Sequence, residues 1–157
     1  MLDTSIGQNQ VMTNSKELWD YIHGGKGVIT LYAPAPSQTH HSYLFSSPAD
    51  RDEFPDDVIF VYAIHENKRF YIGMLEQKSF RLTRRSRFHR DTDIVRGAYY
   101  IVRMALDQNA LSRTPMILYN NGRCAVCGRK LEDEKYIKIG IGRKCFKNHV
   151  ENRSRVI

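Results

Sequence analysis

Three cysteines and one histidine near the C-terminal end carry the clearest chemistry in this chain. Cys124 and Cys127 form a C-x-x-C pair, seventeen residues separate Cys127 from Cys145, and His149 stands four positions beyond Cys145. Two thiolates at that spacing can grip one ion, because the backbone turns between them and directs its amides at the sulfurs. Gly128 permits the positive φ that such a turn often needs. Positions i and i+4 of a helix share one face, so Cys145 and His149 fit on a single helix. Cys145 would occupy its first turn, where the macrodipole favours a thiolate. Three thiolates and a neutral imidazole fill a tetrahedral zinc and leave no open position for water, so the expected role is structural. His149 is the expected fourth ligand; a water, His89 or another side chain are the alternatives. A redox dithiol and a chance set of buried thiols are the competing explanations of the cysteines.

Two groups of cations form the second feature. Arg81, Arg84, Arg85, Arg87 and Arg90 place five arginines in ten residues, with Phe80, Phe88 and His89 among them. Arginine suits planar, bidentate phosphate contacts, and aromatic rings suit bases, so this stretch is a candidate nucleic-acid surface. A solvated loop is the plain alternative. The other group, Arg129, Lys130, Lys138, Arg143, Lys144 and Lys147, surrounds the cysteines. Part of it would offset the negative charge of a thiolate-bound zinc.

Other patterns carry less. His65-Glu66 lacks the H-x-E spacing of zinc deaminases, no proline precedes Cys124, and a hairpin turn explains the pair. His40-His41 with Asn148-His149 could suggest a metal-dependent nuclease, but no His base beside a magnesium ligand set is visible. The expectation is therefore a non-catalytic protein, with such a nuclease as the weak alternative and no small-molecule substrate. Gly140-Ile141-Gly142 and Gly24-Gly25-Lys26-Gly27 match no phosphate-binding loop and read as turns.

The formal charge is +7, and it is unevenly distributed. Residues 1–77 hold five Lys/Arg against ten Asp/Glu, whereas residues 78–103 and 123–157 each carry a net +6. This asymmetry points to an acidic partner, nucleic acid first. The acidic cluster Asp50, Asp52, Glu53, Asp56 and Asp57 reads as a solvated loop, or as mimicry of a phosphate track. Three cysteines without a basic, apolar N-terminal leader suggest a reducing compartment, the cytoplasm of a bacterial host. No apolar run approaches the ~18 residues of a membrane span.

Several elements must position these groups. Residues 1–12 are polar and read as a mobile arm. Asn14 with Glu17 forms a capping box that opens a short helix with Leu18 and Ile22 on one face, stopped at Gly24-Gly25. Strands are expected at 28–33, 41–45, 58–64, 69–76 and 80–83, with His65 to Lys68 closing a hairpin. Asp91, Thr92 and Asp93 offer caps for the strongest helix, about Ile94 to Gln108. Its expected stripe is Ile94, Ala98, Ile101, Val102, Ala105 and Leu106. A linker over 109–115 and a short strand over 116–119 lead to the cysteines. Tyr136 to Ile139 reads as a β-segment before the last helix. The fold class is α+β: a small antiparallel sheet packed on one long helix (13–112), followed by a zinc module (113–157).

The run Gly122-Arg123-Cys124-Ala125-Val126-Cys127-Gly128-Arg129-Lys130-Leu131, then Gly140-Ile141-Gly142-Arg143-Lys144-Cys145, resembles a small treble-clef zinc-finger family of unknown function from bacteriophage and bacterial proteins. The residues from Phe60 to Arg87 are more loosely similar to the β-rich region that often precedes that finger. Family members commonly carry a proline where this chain has Arg143-Lys144, a departure that adds charge without touching a ligand. The resemblance implies a phage or mobile-element origin and a zinc finger, and it brings no activity. Two functions are consistent with all of this. One is a zinc-binding accessory protein that binds nucleic acid through its basic C-terminal half. The other is a phage-encoded inhibitor or adaptor acting on a host enzyme or a nucleic-acid-guided defence complex.

Overall fold

In the computed structural model the described residues are 10–34, 36, 38–48, 54 and 57–151, with the side chains of 149 and 151 outside the description. Helix α1 (Ser15–Ile22) starts where the capping box places it: the Asn14 side chain accepts the Glu17 N–H at 3.0 Å. Five strands follow: β1 (Lys26–Tyr32), β2 (His40–Ser46), β3 (Ile59–His65), β4 (Lys68–Glu76) and β5 (Ser79–Leu82). Each pairs antiparallel with the next. The β3–β4 hairpin turns through Glu66 and Asn67, both at positive φ, as a two-residue loop that follows strand twist requires.

Helix α2 (Asp93–Leu106) is capped by the Thr92 hydroxyl. It stops two residues before its apolar pattern suggests. Asp107 turns extended and its carboxylate accepts the Ala110 N–H at 3.1 Å, capping a separate helix α3 (Gln108–Arg113) where a linker was expected. The buried stripe is Val95, Ala98, Ile101, Val102, Met104 and Ala105, with Gly97. Leu106 is 42% exposed, so it lies off that face.

Strand β6 (Ile117–Asn120) forms where a short strand is expected before the cysteines. It pairs with β1 and completes a six-stranded sheet in the order β5-β4-β3-β2-β1-β6. Residues 10–12, assigned from sequence to an arm, run beside it: Met12 donates its N–H to Leu118 O at 2.8 Å and is 2% exposed. The residues of 1–9 lie outside the described set.

The helices cover one face of the sheet. Ile29, Leu31, Tyr43, Phe45, Val61 and Leu75 meet Leu18, Ile22 and the α2 stripe there. The Tyr43 hydroxyl donates to Ile94 O at 2.6 Å, and a side chain at Gly97 would strike that same hydroxyl, which explains a glycine inside a long helix. Beyond β6, a bridge between Arg123 and Lys130 closes the C-x-x-C turn. Helix α4 (Glu134–Ile139) occupies the segment expected to be a strand. Asp133 caps it by accepting from Lys135 N at 3.0 Å, and Gly140 ends it at φ 81°; two strong boundary signals override the β-preference of Tyr136, Ile137 and Ile139. Helix α5 (Arg143–Cys145) runs on into a π-helical segment, Phe146–Glu151. No helix among the described residues is long and apolar enough to cross a membrane.

Candidate metal centre

The three cysteines converge. The sulfurs of Cys124, Cys127 and Cys145 all lie within 4.8 Å of one another, and among the described residues they are the only group of three His, Cys, Asp or Glu side chains so placed. Four ligands at about 2.3 Å around a tetrahedral ion put sulfurs about 3.8 Å apart, so a small contraction seats a metal. Thiolate donors select zinc, copper(I) or iron–sulfur centres over magnesium or calcium.

The local sequence builds the turn. Gly128 sits at φ 80° and donates its N–H to Cys124 O at 2.9 Å, while Cys124 N donates to Arg129 O at 2.8 Å. This small ring aims amides inward. Val126 and Gly142 N–H groups reach the Cys124 sulfur at 3.4 and 3.3 Å. Burial pushes the Cys124 thiol up, but the amides of Cys127, Gly142 and Val126 outweigh it and hold the thiol below its ordinary value. Cys145 is pushed up to about 12, by burial first and then by the neighbouring Cys127 and Cys124 sulfurs. One thiolate is thus favoured at Cys124, and Cys145 resists ionising beside it. A divalent cation removes that conflict, which is the fit expected of a metal site.

Position 149 lies on the π-helical segment, nearly one turn beyond Cys145, since a π turn closes from i to i+5. The His149 side chain is outside the described residues, and so is its ligation. Cys127 is exposed, so the site faces solvent on that side.

The cysteine-bearing segment is docked on the sheet rather than tethered to it. Lys26 N donates to Ala125 O at 2.7 Å, Ala125 N donates to Gly140 O at 2.9 Å, and Gly24 has no room for a side chain against Ala125. Gly140 packs directly on the buried ring of Tyr21, and a Cβ there would collide with it. Asn120, fully buried, ties three parts together: its amide donates to Ile137 O at 2.9 Å and its carbonyl oxygen accepts Gly122 N at 2.8 Å. Neither Asn120 nor Tyr21 stands out in the sequence reading. The Asn120-Asn121-Gly122 run beside the cysteines was the available signal, since Asn side chains satisfy the backbone of tight turns.

All ten candidate nucleic-acid residues are exposed, and none forms an ion pair among the described residues. Arg129, Lys130, Arg143 and Lys144 line a cleft of about 390 Å³ together with the three cysteines, and Lys147 follows on the π segment. Arg81 lies on β5, Arg84, Arg85 and Arg90 lie in turns, and Arg87 N donates to Tyr71 O at 2.9 Å. Arg81 stands on the edge strand β5, Arg87 reaches the cavity beside β2 and β3, and the second group follows the other edge strand, β6. His40, His41 and His65 line a separate cavity of about 540 Å³ with Arg87 and Phe88. Of the acidic cluster only Asp57 is described; it accepts Gln77 N at 2.9 Å and so braces the β4–β5 turn.

No protein-family model, curated protein or solved structure matches the chain. The geometry of the site therefore carries the functional reading.

Proposed function

We propose that this chain is a non-catalytic accessory protein of phage type. It holds one structural zinc through Cys124, Cys127, Cys145 and His149, and it binds nucleic acid through its basic C-terminal half. The finger is a treble-clef variant: the knuckle and the helix carrying Cys145 keep their places, and α4 stands where the short strand would be. The observation that supports nucleic-acid binding is the set of ten exposed cations without an ion-pair partner among the described residues. Zinc with three thiolates and a neutral imidazole carries one net negative charge. The four cations lining the cleft outnumber it, so neutralising the metal centre does not account for them.

Binding carried by phosphate contacts releases counterions and weakens steeply with salt. If six or more of these cations engage phosphates, affinity falls about 10³- to 10⁵-fold between about 50 and 200 mM salt. A gel-shift titration across that range checks it. A flat salt response, or no shift at low salt, removes the proposal. A pull-down from host lysate with and without nuclease separates it from an inhibitor or adaptor that contacts a host protein directly.

A further inference from the structure

The helices cover one face of the sheet, and the opposite face carries an aromatic and cationic array that the metal site does not explain. Register fixes which residues share that face. Leu44, Tyr62 and Tyr71 form one cross-strand row; Ser46, Phe60, Met74 and Arg81 form the next; Ser42, Ile64 and Arg69 form a third. No acidic residue stands in these three rows. The rings touch in sequence: Phe54 meets Phe60 edge-on at 5.2 Å between centroids, Phe60 meets Tyr71 at 5.9 Å, and Tyr71 meets Tyr62 at 5.6 Å. The Arg69 guanidinium lies over the Tyr62 ring at 4.7 Å. Thr83 Oγ1 donates to the Tyr71 hydroxyl at 3.1 Å, which ties the start of the arginine-rich connection to the same face.

Tyr62, Tyr71 and Phe60 are each partly exposed, and Arg69, Arg81, Arg84 and Arg85 are exposed. Planar rings partly open to solvent, with guanidinium groups beside them and no carboxylate in these three rows (Glu76 stands in the next), match bases and phosphates in alternation. A double helix hides the faces of its bases, so only an unpaired strand can use such a surface. The ring face that a planar guanidinium already occupies on Tyr62 is one that a planar base fits.

We infer that the helix-free face of the sheet is a stacking platform for single-stranded nucleic acid, with Tyr62 and Tyr71 as the base-contacting residues and Arg69 and Arg81 as phosphate partners. The inference rests on the nucleic-acid reading above and narrows it to unpaired strands.

The test is fluorescence anisotropy of the metal-loaded full chain with a labelled oligouridylate or oligothymidylate, against a duplex of equal charge. The Tyr62→Leu and Tyr71→Leu variants keep apolar bulk in the sheet and remove the flat ring. Each is expected to weaken single-strand binding roughly tenfold, with the salt slope unchanged, while Tyr62→Phe retains affinity. Photocrosslinking of wild-type protein to an iodouridine-bearing strand gives a readout independent of the variants, with adducts expected on Tyr62 or Tyr71. Equal affinity for duplex, or adducts confined to residues 123–147 with unaffected leucine variants, overturns the platform and leaves nucleic-acid binding standing. Failure to bind either nucleic acid at low salt, with a polypeptide captured instead, overturns both.

Discussion

Helix α2 buries seven of its residues against the sheet, whereas α4 and α5 bury none. From the cysteine-bearing segment only Cys124, Ala125, Ile141 and Val150 enter the common core. The two regions thus stand on different physics. The sheet and α2 are held by apolar burial at about 25 cal/mol per Å². The cysteine-bearing segment buries few residues, and a metal held by its three thiolates would make up the difference. Burial scales with area and tolerates local loss, while a ligand set fails as a unit.

Removing one ligand should have the largest effect. Zinc bound to finger peptides is worth an apparent 10–16 kcal/mol or so. Cys124→Ser is therefore expected to abolish metal retention and strip hydrogen-exchange protection from residues 122–151. Protection in β3 and β4 should remain. Simultaneous loss in both regions would show that the finger and the sheet are one cooperative unit. Next comes Met104→Ala. This side chain is 2% exposed in the last turn of α2, and its truncation should cost about 2–5 kcal/mol in denaturant melts. Metal content below the melting point should not change. The smallest expected effect probes the joint. Gly140→Ala forces a side chain against Tyr21 at a φ of 81°, at a cost of about 1–3 kcal/mol. Gly142→Ala meets only Leu131 at 3.5 Å and the Cys124 sulfur at 3.9 Å, so it serves as the silent control. Equal stability of the two variants would mean that the finger does not lean on Tyr21.

Much of the sheet half was legible because its signals are local and agree with one another. The Asn14 box, the Glu66-Asn67 turn and the strand alternation each name one structure. The misses came where a single polar residue overrides a longer pattern. Asp107 splits what reads as one helix, and Asp133 with Gly140 turns an apparent β-segment into α4. The pairing of β6 with β1 spans most of the chain, and no local signal specifies a contact so remote in sequence. At the site, spacing identified the three cysteines, because metal ligation restricts ligand separations tightly. It did not identify Asn120 or Tyr21, whose work is to join regions distant in sequence. The arginines were legible as a charge pattern. Their placement on the fold was not, because charge counts carry no topology.

The central claim is that a metal held by three converging thiolates organises the final quarter of the chain. Native mass spectrometry of protein purified without chelator, paired with elemental analysis, measures this directly. One zinc per chain, lost together with the protection of residues 122–151 on acid or chelator treatment, is the predicted result. A fully folded chain with no transition metal bound would contradict it.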